Sequence, residues 1–408
     1  MNIAIIGGGA SGLFAGGILC DAEQRISIFD GNEKVGKKIY ITGKGRCNLT
    51  NNTTVEEYLN NVVNGSKFMI SAINRFDCQD TINFFENNGL PLKTERGNRV
   101  FPVSDKASDV TRVLLNRVKD CDLRLNEKVV LIKEDKESNK LLVKTEKEEY
   151  LFDKVIVATG GKSYPATGSS GDGYKFAKML GIEVVKPRSA LVPIKLNDKF
   201  CPLLQGLSLK NVTLKATING KKRELFGEML FTNDGISGPI ALSMSSYIAE
   251  NQNVSLSIDL KPALSEEQLE KRLLRDFNEN LNKNISYIIK GLLPRSLVSV
   301  FLNVCEIKEE LKVNSITHEM RKTIIKNLKD FKLSYSSLYP LECGIVTGGG
   351  ISLKEINPKS MESKKVKGLY FIGEVLDIDC LTGGFNLQTA FSNAYACATS
   401  IIEENNRS

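Results

Sequence analysis

No tryptophan and a single histidine, His318, occur in 408 residues. One imidazole excludes a histidine-built metal centre, and a Ser-His-Asp arrangement would depend on a residue lying in a charged helical stretch. His318 reads instead as a surface helix residue. The nine cysteines, at 20, 47, 78, 121, 201, 305, 343, 380 and 397, form no Cys-x-x-Cys motif. Neither a zinc ribbon, a dithiol redox pair nor a disulfide framework is expected, and the thiols read as reduced and mostly buried. No run approaches the ~18 uninterrupted apolar residues of a membrane span. Met1 leads directly into the first apolar run, with no room for the charged and apolar regions of a secretory leader, so the expected location is cytoplasmic. The net charge of +7 is spread along the chain and reads as solvated surface. What remains, 41% apolar residues in a chain long enough for two or three domains, describes an enzyme-sized globular protein.

The chain is organised around its first thirty residues. Asn2 to Ile6 is a short apolar run, Gly7-Gly8-Gly9-Ala10-Ser11-Gly12 opens a segment with helical spacing, and Arg25 to Phe29 supplies a second strand ending at Asp30. Strand, Gly-x-Gly-x-x-Gly turn, helix, strand and acid follow in the order a dinucleotide requires. Gly7 makes the tight turn, Gly9 lets backbone approach a pyrophosphate, and Gly12 lets helix lie close on strand. The pyrophosphate would sit on the helix N-terminus while Asp30 accepts from a ribose hydroxyl.

Beyond Asp30, Gly36 to Asn51 is dense in glycine, cations and small polar residues and reads as a loop wrapped on a phosphate. Lys38, Arg46 and Asn48 offer donors there, and Cys47 reads as a packed thiol. Residues 67 to 120 read as helices, with Val110, Val113, Leu114 and Val118 at helical spacing behind a cap at Ser108-Asp109. Residues 123 to 152 read as a small β-meander, followed by a buried strand, Val155 to Ala158, and a second glycine turn, Thr159-Gly160-Gly161. Composition shifts near Pro187 to Pro193. A β-region follows, with Asn219-Gly220 as a hairpin turn, then a basic helical region opened by a capping box of Ser265 and Gln268.

Near the end of the chain, Ile345 to Ile351 carries glycines without a following helix pattern and is not read as a second nucleotide turn. Gly368 to Ile372 is a strand ending in Gly373-Glu374, and Thr382 to Ala390 opens a last apolar helix. An FAD is longer than the first unit can hold, so its ribityl chain and ring need a second strand end. Gly373 allows approach, Glu374 can accept from a hydroxyl, and the helix N-terminus at Gly383 to Asn386 aims amides at the N1–C2 carbonyl side of the ring. Two glycine turns at opposite ends of the chain therefore favour FAD over NAD.

These segments, together with Phe231 to Pro239 and Met361 to Gln388, resemble the bacterial NAD(P)/FAD-dependent oxidoreductase flavoproteins, a family that includes aminoacetone oxidase and a bile-acid-dehydroxylation flavoprotein. The resemblance covers essentially the whole chain. It implies an α/β fold, a glutathione-reductase-like FAD-binding Rossmann domain over 1–188 and 342–408. Inserted in it are a β-barrel-like unit over 189–262 and 333–341 and a small helical unit over 263–332. The family pattern has a histidine where this chain has Asn233, and often a glycine at Cys380. Asn233 can position a substrate but cannot titrate near neutral pH.

The expected cofactor contacts are Gly7, Gly9, Ser11, Gly12, Asp30, Lys38, Arg46, Cys47, Asn48, Val129, Thr159, Gly160, Gly373, Glu374, Gly384, Phe385, Asn386 and Leu387. The expected catalytic side chains are Asn233 and Tyr164, and no metal ligands are expected. The function implied is an FAD-dependent oxidoreductase acting on a small organic substrate through flavin N5, either as an oxidase or as a reductase with NAD(P)H as transient donor. No membrane is expected as partner, and nucleic acid is not favoured. The alternatives are an FAD scaffold without turnover and RNA modification or binding, the latter suggested by Lys271, Arg272, Arg275, Arg321, Lys322, Lys326 and Lys329.

Overall fold

The computed structural model describes residues 1–248 and 253–406. They fall into two compact units, Met1–Ala190 with Pro340–Ser408, and Leu191–Tyr339. In the first, β1 (Asn2–Ile6) lies between β2 (Arg25–Asp30) and the strand Lys154–Val157. Asp122–Leu125 continues the sheet beyond β2, Leu369–Phe371 continues it beyond Lys154–Val157, and all neighbours run parallel. Ile3, Ala4, Ile5 and Ile6 are all buried, as a parallel strand covered on both faces requires. α1 (Ala10–Asp21) packs against the last helix, Phe385–Asn405. Strands Val129–Asp135, Lys140–Thr145 and Glu149–Phe152 make the antiparallel meander.

Two local readings change. The stretch 67 to 120 holds helices Ser66–Arg75, Cys78–Asn87 and Ala107–Arg117, but also strands Leu92–Glu95 and Arg99–Pro102, paired as a hairpin with Thr50–Asn51 at its edge. Four-residue strands are too short for alternation to stand out, and the turn signal is Gly97-Asn98, both at positive φ. The helix Ala107–Arg117 takes Lys106 as its N-cap, without a side-chain cap bond. Asp109 instead accepts from Ser104 Oγ at 2.6 Å. The glycines near the end of the chain lie in a buried strand, Val346–Ile351, antiparallel to Val184–Ala190.

The second unit is a seven-stranded antiparallel sheet with helices, and one buried core serves both. Its long hairpin, Ser208–Ile218 and Lys221–Thr232, turns at Asn219-Gly220, both residues at positive φ. Helix Glu266–Asn278 starts at the Ser265/Gln268 capping box. His318 begins the helix His318–Lys329, with Nδ1 2.8 Å from Arg321. Among the described residues no helix is long and apolar enough to cross a membrane.

Candidate cofactor site

The three glycines of the first turn have different physical reasons, and the structure separates them. A Cβ on Gly7, whose φ is +111°, would sit 2.5 Å from the Ala158 carbonyl, and one on Gly12 would sit 2.0 Å from the Gly7 carbonyl. Neither position has room for a side chain. A Cβ on Gly9 would meet nothing within 4 Å, so this glycine borders open space at the N-cap of α1. No side chain caps that helix, leaving its first amides and positive dipole end for an anion. Asp30 stands at the end of β2 and is held in place: Oδ2 accepts from the Gly8 amide at 2.9 Å, and Oδ1 accepts from the Asn32 amide at 2.9 Å.

The distant glycine turn arrives at the same place. Gly373 has φ +78°, and a Cβ there would lie 2.4 Å from Ser11 Oγ on the first turn of α1. Its amide donates to Asn393 Oδ1 of the last helix at 3.0 Å. Gly384 is pressed on the Thr50 backbone, where a Cβ would lie 2.3 Å from the carbonyl oxygen, and Asn51 Nδ2 donates to the Gly383 carbonyl at 3.0 Å. The last helix also begins without a side-chain cap. Two uncapped helix starts, the α1 turn and the Gly384 turn, are therefore tied to loop 36–51 and to one another within a single unit. Two buried polar atoms here, Asn48 Oδ1 and Thr159 Oγ1, have no hydrogen-bond partner among the described residues. Buried polar atoms are rarely left so, and both belong to segments a bound FAD would line. The residues present fit that cofactor.

Other expected contacts have tasks within the protein. Glu374 does not offer a free carboxylate: Oε2 accepts from Lys38 Nζ at 2.6 Å, while Oε1 accepts from Ser163 Oγ at 2.9 Å and the Thr347 amide at 3.0 Å. Lys38 also donates to Ser163 Oγ at 2.6 Å. Arg46 turns to Glu95 and Asp105 and lies 4.2 Å over the Phe101 ring, because the unforeseen hairpin puts an acid and an aromatic beside it. Asn386 brackets the preceding strand, accepting from the Cys380 amide and donating to its carbonyl, both at 3.0 Å. Burial pushes the Cys47 thiol up to about 12, which makes it a packing residue, and Cys380 is likewise buried and pushed up to about 12. Val129 is buried at the start of the meander, Gly160 keeps a φ of +70°, and Phe385 and Leu387 lie on the first turn of the last helix.

The two expected catalytic side chains are in different units. Tyr164 lies in the first, held in the left-handed region at φ 52°, one residue from Ser163, with its ring partly exposed. Asn233 lies in the second, exposed in the turn between strands Lys221–Thr232 and Gly235–Ser237. Ser163 and Thr347, which were not among the expected site residues, help hold Glu374; the small polar residue after the second glycine turn was the available signal for Ser163. Asp379 was missed as well. It is buried, with Oδ1 accepting from Arg188 Nη2 at 3.0 Å and Oδ2 without a partner among the described residues. Burial pushes its carboxyl up to about 6, with Asp377 adding to the rise and Arg188 opposing it. An acid before a glycine turn in an apolar stretch was its signal.

Residues 1–400 match the family described as the HI0933-like protein Rossmann domain. The chain belongs to this family. It is a flavoprotein oxidoreductase family with a Rossmann-type FAD-binding fold, as the two glycine turns require. Over 98% of both chains, this HI0933-like member is 33% identical to a ribosomal RNA dihydrouridine synthase of Haemophilus influenzae. It is 28% identical to a 3-dehydro-bile acid delta(4,6)-reductase of Clostridium scindens, covering 98% of this chain and 99% of that one. Among solved structures, the 3-ketosteroid delta1-dehydrogenase of Sterolibacterium denitrificans shares the fold at TM-score 0.50 and 11% identity, over 98% of this chain and 99% of that one. The quinol fumarate reductase of E. coli does so at TM-score 0.50 and 14% identity, over 99% and 70%.

Proposed function

We propose that the protein is an FAD-dependent reductase that saturates a carbon–carbon double bond conjugated to a carbonyl, with a uridine base of RNA as its substrate. The observation that carries this reading is chemical. A ribosomal RNA dihydrouridine synthase and a bile acid delta(4,6)-reductase, both similar to this chain along its whole length, act on different molecules. The 5,6 double bond of uracil and a 4,6-diene beside a 3-ketone are nevertheless the same kind of electron-poor alkene. Bound FAD supplies the hydride, and the protein must orient the alkene and deliver a proton to the other carbon. Uridine is preferred because the relatives of that name are 33% and 32% identical, above the 28% of the bile acid reductase. This reverses the sequence-based preference for a small organic substrate.

Tyr164, which follows Ser163 of the Lys38–Ser163–Glu374 network in the chain, is the proposed proton donor of the first unit, and its side chain is partly exposed. The exposed Asn233 carboxamide is proposed to donate to a substrate carbonyl; it cannot exchange a proton near neutral pH. Gly7, Gly9, Gly12 and Asp30 are proposed to hold the ADP end of FAD, and Gly373, Gly383 and Gly384 the ring end. With a single Gly-x-Gly-x-x-Gly turn taken by FAD, NAD(P)H is proposed to bind transiently as electron donor.

RNA recognition draws support from an unexpected place. Four cations of the helical region are paired locally: Arg272 and Arg275 share Asp276, Arg321 meets Glu270, and Lys329 meets Asp259. The hairpin of the second unit instead exposes Lys221, Lys222 and Arg223 at its tip, with the Phe226 ring 63% exposed nearby in the same strand. Cations beside an open aromatic face are what a single-stranded nucleic acid needs. The test is anaerobic: reduce the flavin with NADH or NADPH, then add a ribosomal RNA transcript or a delta(4,6)-3-ketosteroid. Reoxidation by the transcript, with dihydrouridine found by mass spectrometry, supports the proposal. Reoxidation by the steroid alone removes RNA as substrate, and reoxidation by neither removes the reductase reading.

A further inference from the structure

Cys20 and Cys121 are 101 positions apart in sequence, yet their sulfurs lie 3.1 Å from each other. Cys20 is in the last turn of α1, and Cys121 immediately precedes the strand Asp122–Leu125. Both are partly exposed, whereas Cys47, Cys78, Cys201, Cys305, Cys380 and Cys397 are buried. The contact follows from how closely α1 lies on the end of the helix Ala107–Arg117. A Cβ on Gly17 would be 2.8 Å from Arg117 Cβ, and one on Gly16 would be 3.2 Å from Val118 Cγ1. With no side chain at either glycine, the two segments approach until the sulfurs meet, and an Arg117–Asp21 ion pair fastens them at the same level.

We propose that Cys20 and Cys121 are a peroxide-reactive thiol pair that closes to a disulfide. The reading does not depend on the proposed reaction. Separated by little more than 1 Å beyond a bonded sulfur pair, the two need a small side-chain adjustment rather than a backbone rearrangement. The two sulfurs have different roles. The Cys121 thiol donates its hydrogen to the Cys20 sulfur, and burial, followed by the contact with Cys20, pushes the Cys121 thiol up. The proton therefore stays on Cys121, and Cys20 is the sulfur that meets the oxidant.

In the first step the Cys20 thiolate attacks a hydroperoxide. A sulfur–oxygen bond forms, the peroxide oxygen–oxygen bond breaks, and the departing oxygen leaves as water or an alcohol after taking a proton from solvent. Cys20 is oxidised by two electrons to a sulfenic acid. In the second step the Cys121 sulfur attacks Cys20, the sulfur–sulfur bond forms, and the hydroxyl leaves as water with the Cys121 proton. The product ties the C-terminal end of α1 to the sheet, at the opposite end of the helix from the Gly7–Gly12 turn.

The experiment uses the FAD-bound full chain carrying Cys343→Ser, because Cys343 is exposed and would compete for oxidant. After a small molar excess of hydrogen peroxide, free thiols are alkylated, and peptides are mapped by mass spectrometry without reduction. The expected result is a Cys20–Cys121 peptide pair two hydrogens lighter than its parts, reversed by dithiothreitol. With Cys121→Ser added, dimedone should trap a sulfenic acid at Cys20; with Cys20→Ser, none should form at Cys121. Unchanged flavin absorbance in each variant reports that the fold is kept. Complete alkylation of both cysteines after peroxide would overturn the proposal, as would dimedone capture at Cys121 in place of Cys20.

Discussion

Gly9 and Gly12 stand three residues apart in one turn, and replacing each by alanine should affect stability differently. At Gly9 an added Cβ meets nothing within 4 Å, so Gly9→Ala should melt within about one degree of the parent without cofactor while binding FAD at least about tenfold more weakly. At Gly12 the same Cβ lies 2.0 Å from a carbonyl oxygen, so Gly12→Ala should lower stability by about 2 kcal/mol or more and lose FAD with it. Thermal melts and flavin titration of both variants separate the two roles; equal loss of stability would remove the assignment of Gly9 to the cofactor. Asp379 makes a pH prediction. Its carboxyl sits at about 6, raised by burial, against about 3.9 for an unfolded aspartate. Between these values the folded protein holds a proton that the unfolded chain has released, so stability falls as pH rises from about 4 to about 6 and is level above, a change of up to about 3 kcal/mol. Urea unfolding at both ends of that range should show a smaller fall for Asp379→Asn than for the parent. Equal falls would mean that the carboxyl ionises as in water.

Between elements, the Lys38–Glu374 pair matters most, because it joins segments that share no local contact in sequence. Lys38 comes from the helix Lys37–Ile41, Ser163 from the second glycine turn, Thr347 from a buried strand, and Glu374 from the turn after Leu369–Phe371. Glu374→Gln keeps the shape but leaves Lys38 without its counter-charge and turns one acceptor into a donor. It should cost about 2 kcal/mol of stability by urea unfolding and weaken FAD binding, since Gly373 is its chain neighbour. Glu374→Asp, which keeps the charge, should recover part of both. An unchanged FAD affinity in Glu374→Gln would show that this network holds the fold without shaping the cofactor site.

For the whole molecule, the net charge of +7 is a weak guide, because it does not say which cations are held by acids of the same unit, as Arg272, Arg275, Arg321 and Lys329 are. The exposed hairpin tip is the place to test. Lys221→Glu with Lys222→Glu should weaken binding to a ribosomal RNA transcript, and lower the slope of log affinity against log salt by about one for each lost phosphate contact. Flavin absorbance and the rate of flavin reduction by NAD(P)H should be unchanged. An RNA affinity identical to the parent at low salt would move recognition away from this hairpin.

Much of the FAD domain was legible in the chain itself. Gly7 to Asp30 lies in one continuous stretch, and backbone sterics at a tight turn demand glycine at fixed offsets, so strand, turn, helix and acid could be placed without knowing any neighbour. The hairpin at Asn219-Gly220 was legible for the same reason, since positive φ at two successive residues selects those side chains. Partnerships across long separations were decided by the tertiary structure. Nothing near Glu374 indicates that Lys38, 336 positions away, will occupy its carboxylate, or that an unrecognised hairpin will draw Arg46 to Glu95. The absence of Cys-x-x-Cys argued against a thiol pair, yet α1 brings Cys20 to Cys121 because two glycines remove the side chains that would hold the helix away. Local conformational preference is written in neighbouring residues, whereas side-chain pairing depends on where the packed sheet and helices place groups hundreds of residues apart.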